Sequence, residues 1–188
     1  MKPMELERRS PLHRIALRPA TPADADLLHA WRGEASVARY QPLGRLTRGQ
    51  LRAELAAQQS ASLEDGRGEK FQWIVVCEDE PVGWITLVVT NWEHGLAEIG
   101  YALTTERQRR GITPQALHLL LADVFMNTSL ERVEARCAIE NEGSRKVLEA
   151  VGFQREGVLR SYFQLGERRV DNYLYAILRA DFLRLPQP

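Results

Sequence analysis

The sequence predicts one α/β domain, a mixed seven-stranded sheet with helices on both faces. Three observations predict it. Strand-like and helix-like patterns alternate as βαα, βββ, α, β, α, ββ, which combines hairpins with two helical crossovers. The length, 188 residues, suits a single domain able to bury a real core. At 44% hydrophobic and 27% charged, the composition is that of ordinary globular material. Residues 1–13 read as a flexible polar tail and 14–184 as the domain, with no linker or repeat inside it.

Each element follows from a local signal. Ile15-Ala-Leu-Arg-Pro alternates and reads as an edge strand ended by Pro19. Thr21-Pro22-Ala23-Asp24 combines a cap residue, a proline and a first-turn acid, and Leu27, Leu28 and Trp31 give the helix behind it an apolar stripe. Thr47-Arg-Gly-Gln50 is a capping box, with Leu51 and Leu55 inward. Phe71–Cys77 and Pro81–Thr90 form a hairpin around Glu78-Asp79-Glu80, and Leu96–Leu103 is a third strand. A helix is expected over Pro114–Asn127, with Thr113 as its cap and Pro114 at its first position. Arg132–Ala138 reads as a strand, Ser144–Val151 as a helix stopped by Gly152, and Phe153–Gln164 with Arg168–Leu178 as a closing hairpin.

Charge and composition exclude several functions. The 25 basic and 25 acidic residues cancel, which argues against coating nucleic acid or anionic lipid. Two cysteines, Cys77 and Cys137, support neither a disulfide framework nor a four-cysteine zinc site, and sit in strand patterns as small core residues. The four histidines form no His-x-x-x-His pair. The N-terminus lacks the apolar run of a signal peptide and nothing is long enough to span a membrane, so a cytoplasmic location is expected.

Two segments carry candidate chemistry. In the first, the Gly100–Leu103 strand end leads through a basic turn, Arg107, Gln108, Arg109, Arg110, Gly111, Ile112, Thr113, into a helix. The first N–H groups of a helix lack intrahelical partners and sit at the positive end of its dipole, where a phosphate fits. Gly111 lets backbone approach closely. The same residues also suit a solvated turn. In the second, Asn141-Glu-Gly-Ser144 follows a strand; its polar side chains either act at the strand end or cap the next helix.

Taken together, these motifs resemble the GNAT superfamily of N-acetyltransferases, in particular its RimJ/RimL-like branch, which acetylates protein N-termini. The resemblance runs from about Ile15 to Phe182 through Leu17-Arg18-Pro19, Pro81-Val-Gly-Trp-Ile, Ala97-Glu98-Ile99-Gly100-Tyr101, Gln108-x-x-Gly111-x-Thr113, Asn141-x-x-Ser144, Gly152-Phe153, Glu156-Gly157 and Asp171-Asn-Tyr-Leu-Tyr175. It implies a mostly antiparallel sheet and acetyl-CoA as co-substrate. It implies that the backbone of Gln108, Arg109, Arg110, Gly111, Ile112 and Thr113 cradles the pyrophosphate, that the strand edge at Leu103 pairs with the pantetheine and meets the oxyanion, and that Asn141 bonds the cofactor arm while Ser144 stands near the sulfur. The family's usual loop ends in Gly or Ala where this chain has Thr113, and the tyrosine that many relatives carry on the next helix is replaced by Val147 and Leu148.

The chemistry itself asks for a base to deprotonate the amine and an acid for the leaving thiolate, and for no metal. At pH 7 an α-amine costs about 1 kcal/mol to deprotonate and a lysine about 4.6 kcal/mol. Glu98, a strand carboxylate among apolar neighbours, is the candidate base, with pairing to an arginine as its alternative role. Tyr101 and Tyr162 read as core or cover residues, with orientation of the substrate as their alternative role. The expected function is direct acetyl transfer to a primary amine, foremost a protein N-terminal α-amine. The alternatives are a small-molecule amine acetyltransferase, for polyamines or aminoglycosides, or a catalytically weak acyl-CoA sensor. The resemblance is compatible with a homodimer.

Overall fold

The computed structural model describes residues 13–41, 43, 46–59 and 62–185, so most of the expected tail lies outside the described residues. Seven strands form one sheet: β1 (Ile15–Pro19), β2 (Lys70–Cys77), β3 (Glu80–Asn91), β4 (Leu96–Leu103), β5 (Arg132–Ala138), β6 (Gln154–Leu165) and β7 (Arg168–Leu178). Their order is β1-β2-β3-β4-β5-β7-β6. Every pairing is antiparallel except β4 with β5, which is parallel because a helix crosses over between them. The helices are α1 (Ala25–Arg32), α2 (Ala35–Ala38), α3 (Arg48–Gln58), α4 (Ile112–Asn127), α5 (Glu142–Val151) and α6 (Arg179–Phe182). The fold class is therefore the expected one, and all seven strands fall where the alternation put them. The four-residue α2 and α6 are too short to show helical periodicity.

The sheet has an apolar layer on each face. On one face α4 packs Leu117, Leu120, Leu121 and Val124 against Ile85, Leu87, Ile99 and Val133. On the other, Leu28 and Trp31 of α1 and Leu51 and Leu55 of α3 cover Ile74, Trp84 and Ala102. Trp31 stacks on Trp84 with ring centroids 6.3 Å apart. Burying each aliphatic side chain contributes about 1.5–3 kcal/mol. Strand alternation distributes β4 between the layers. Ala97, Ile99, Tyr101 and Leu103 join the α4 side, and Ala102 joins the α1 side, so Glu98 and Gly100 face the α1 side as well.

Two helix starts differ from the sequence expectation. Thr113 does not cap α4. Gly111 holds that place with φ 76°, Ile112 opens the helix, and Thr113 and Pro114 fall within its first turn. Glycine enters the left-handed region without steric cost, and proline is tolerated anywhere in a first turn because the N–H it lacks has no intrahelical partner. Helix α5 begins at Glu142, two residues before Ser144, because Asn141 is its cap and accepts the Ser144 N–H at 3.1 Å. Gly152, at φ 100°, ends that helix as expected.

Candidate active site

Strands β4 and β5 pair only from Leu96 with Arg132 to Ile99 with Ala135. Beyond that they part. Gly100–Leu103 stays paired to β3 on one edge and, among the described residues, has no strand on the other, while Arg136–Ala138 pairs with β7. A sheet that splits in its middle exposes backbone groups that must find partners. Here side-chain amides supply them: Gln41 Nε2 donates to the Tyr101 carbonyl at 2.8 Å and Gln108 Nε2 to the Leu103 carbonyl at 3.0 Å. The N–H and C=O of one strand residue point to the same edge, so the Tyr101 and Leu103 N–H groups share it.

A cleft of about 240 Å³ opens along this edge, lined by Leu103, Gln108, Arg109, Thr113, Asn141 and Ser144 together with Tyr101 and Gln41. Six residues singled out from two distant sequence segments thus meet at one place. No carboxylate lines the cleft among the described residues. Arg110 and Gly111 lie on the adjoining turn, where Arg110 is exposed and its carbonyl sits 3.0 Å from His13 Nε2. Ile112 is buried in the core at 1% exposure, so only its backbone can contribute to a site. Arg109 has φ 59° and Gly111 φ 76°, a backbone that turns sharply into α4. The cap position of α4 is held by Gly111, which has no side chain to offer its first N–H groups, whereas Thr47 caps α3 and Asn141 caps α5. An uncapped start to a 16-residue helix, beside Arg109, suits an anion.

The two candidate catalytic residues lie on opposite faces of the sheet. Ser144 stands on the α5 side. Its N–H is the group that Asn141 caps, and its own hydroxyl is free for another bond, meeting the Tyr101 hydroxyl at 2.9 Å. Tyr101 therefore lines the cleft as well as packing against the core. Burial pushes its hydroxyl well above the usual phenol range, so it stays protonated. The sequence contained a signal for it, since alternation along β4 turns Tyr101 toward the helix that carries Ser144. Val147 lines the cleft and Leu148 is core, while the hydroxyl in reach of Ser144 belongs to Tyr101 of β4.

Glu98 lies on the other face, outside the cleft lining, and its carboxylate pairs with Arg136. Arg136 also reaches Glu134 at 3.5 Å and lies under the Tyr162 ring, 5.5 Å from its centroid. Arg132 continues the row to Glu134 and Glu156. Cys77 and Cys137 are buried, at 2% and 3% exposure, and burial pushes both thiols up, which leaves them poor nucleophiles.

Comparison with known proteins agrees with this fold. An uncharacterized N-acetyltransferase, p20 of Bacillus licheniformis, is 32% identical over 170 residues, 90% of this chain and 95% of its own. The fold matches a Vibrio cholerae spermidine N-acetyltransferase solved with CoA and spermine, with a TM-score of 0.80, 20% identity and coverage of 91% of this chain and 99% of that one. It also matches RimL, a ribosomal L7/L12 α-N-protein acetyltransferase solved with CoA, with a TM-score of 0.78, 21% identity and coverage of 87% and 93%. The model of the acetyltransferase (GNAT) domain matches residues 14–154, three quarters of the sequence and both halves of the cleft, and the chain belongs to the GNAT family of acetyltransferases.

Proposed function

We propose that this acetyltransferase uses acetyl-CoA to acetylate a primary amine, and that its acceptor is the α-amine of a protein N-terminus. The observation that carries the reading is the split between β4 and β5, with an open strand edge at one end and the uncapped start of α4 at the other. The Ile112 and Thr113 N–H groups and the turn from Gln108 to Gly111 would hold the pyrophosphate, with Arg109 and Arg110 beside it. The Tyr101 and Leu103 carbonyls would exchange the Gln41 and Gln108 amides for those of the pantetheine arm. Asn141 has committed its oxygen to the α5 cap, which leaves its NH₂ for the arm. Acetyl-CoA supplies an activated thioester whose thiolate must regain a proton.

The placement of acid and base on opposite faces suits the reaction. In acyl transfer the entering amine and the departing sulfur occupy different corners of one tetrahedral carbon. Ser144 and the protonated Tyr101 hydroxyl can donate hydrogen bonds to the developing thiolate from the α5 side, and solvent can supply its proton. The Leu103 edge N–H can meet the oxyanion. Glu98 approaches from the other face and would take the amine proton, directly or through a water.

The electrostatics favour an α-amine over a polyamine. A polyamine carries several ammonium groups and calls for unpaired carboxylates. On the face that holds Glu98, the carboxylates Glu98, Glu134 and Glu156 are each paired with Arg136 or Arg132. An α-amine costs only about 1 kcal/mol to deprotonate at pH 7, within reach of one carboxylate acting through water. Purified protein given acetyl-CoA and a panel of N-terminal peptides, spermidine and an aminoglycoside is the test, read by thiol release. Fastest turnover with a peptide is expected. Faster turnover with spermidine would overturn the acceptor, and no release with any amine would overturn catalysis in favour of acyl-CoA sensing.

A further inference from the structure

We propose that His13, Cys77 and Glu78 form a binding site for a divalent cation of the zinc type, a clasp between the start of the chain's first strand and the head of α4. An imidazole nitrogen, a thiol sulfur and a carboxylate oxygen are the donors that zinc takes. One such atom from each residue lies within 4.8 Å of the other two. Bonds of about 2.0–2.3 Å place tetrahedral ligands roughly 3.3–3.8 Å apart, so side-chain shifts on the order of 1 Å close the site.

The register brings the three together. Ile15 of β1 faces Cys77 of β2, so their side chains share a sheet face. His13 precedes Ile15 by two residues and continues that face. Glu78 follows Cys77 at φ 50° and Asp79 at φ 67°, and this tight turn swings the Glu78 carboxylate back beside them.

Supporting bonds orient two of the ligands. His13 Nε2 lies 3.0 Å from the Arg110 carbonyl. A carbonyl only accepts, so Nε2 carries a proton, which leaves Nδ1 as the nitrogen that a metal would take. A ring N–H given to a backbone carbonyl is the usual arrangement behind a metal-bound histidine. Glu78 Oε1 accepts the Arg14 N–H at 2.9 Å, and its Oε2 lies 3.7 Å from Arg14 Nε, a pair that a bound cation would have to displace. Arg14, Arg107 and Arg110 lie nearby, and so do Asp79 and Glu80, so the surroundings are of mixed charge. The Cys77 thiol would lose its proton to solvent as the sulfur–metal bond forms. The His13 N–H also donates to Gln115 Oε1 at 3.2 Å, so a bound cation would tie β1 and β2 to the turn that opens α4.

Cobalt(II) titration of the full chain tests the site, since cobalt replaces zinc and a bound thiolate gives a near-ultraviolet charge-transfer band. One cobalt per chain is expected, displaced by zinc, with the thiolate band abolished in Cys77→Ser. His13→Gln and Glu78→Gln, at less buried positions, should weaken binding tenfold or more while keeping the parent's melting transition. A parent without the band overturns the proposal. So does a band that survives in Cys77→Ser, or binding within twofold of the parent in both His13→Gln and Glu78→Gln.

Discussion

Tyr101 and Ser144 join two strongly different sequence contexts, a strand edge and a helix start, through hydroxyls 2.9 Å apart. If the pair donates to the leaving thiolate, each hydroxyl is a neutral donor to a charged group, worth about 1.5–3 kcal/mol. Ser144→Ala should therefore lower kcat by roughly 10–150-fold, and Tyr101→Phe by a similar factor, with the Kd for acetyl-CoA little changed. The double variant should cost much less than the product of the two, because both act on one sulfur. Thiol release and calorimetry on the same preparations check this. Glu98→Gln is expected to lower kcat by roughly 10²-fold with cofactor affinity unchanged. A rate within about twofold of the parent across pH 6–9 would make Glu98 a structural partner of Arg136 instead. At this scale the sequence named Ser144 and Glu98 as candidates but not their partners. Arg136 is 38 residues from Glu98 along the chain, and only the parallel register of β4 with β5 puts it there.

Among the elements, the first helix start is the one whose stability depends most on a single charge. Asp24 is buried, at 7% exposure, and accepts from Arg18 at 2.9 and 2.6 Å, from the Thr21 N–H at 2.8 Å and from the Thr21 hydroxyl at 3.0 Å. The Arg18 hydrogen bonds hold its carboxyl below the usual carboxylate range against the opposing effect of burial. A lowered native pKa contributes stability that is present above the unfolded value, near 3.9, and is lost as pH falls through the native value. Asp24→Asn should thus destabilise the protein by about 1–3 kcal/mol at pH 7. The difference from the parent should shrink below about pH 4, as urea unfolding across a pH series would record. This helix start was legible from Thr21-Pro22-Ala23-Asp24, a 3₁₀ turn capped by Thr21 that runs into α1 at Ala25, because capping is local chemistry. The start of α4 was misplaced by two residues because Thr113 and Gly111 both satisfy local rules, and the turn from Gln108 decides between them.

At the scale of the whole molecule, acetyl-CoA bound along the split in the sheet, as proposed, would add to stability. Saturating acetyl-CoA at about 100 times its Kd should add about 2.7 kcal/mol, a rise of roughly 5–11 °C in Tm for a chain of this size. Gly111→Val forces a branched side chain into φ 76° at the turn that would hold the pyrophosphate, and should remove most of that rise. Differential scanning fluorimetry with and without ligand reads both, and an undiminished rise in the variant would remove this turn from the site. By itself the sequence determined the strands, the main helices, the mixed sheet and the segments that meet at the cleft, because period, caps and turn residues act over a few positions. Only the tertiary structure decided that β4 and β5 separate after Ile99 and Ala135, that Gln41 and Gln108 cover the exposed edge, and that Ser144 and Glu98 lie on opposite faces. It also decided that His13 meets Cys77. These relations depend on strand register and on which face each strand turns to its neighbours, and a shift of one residue would invert them all.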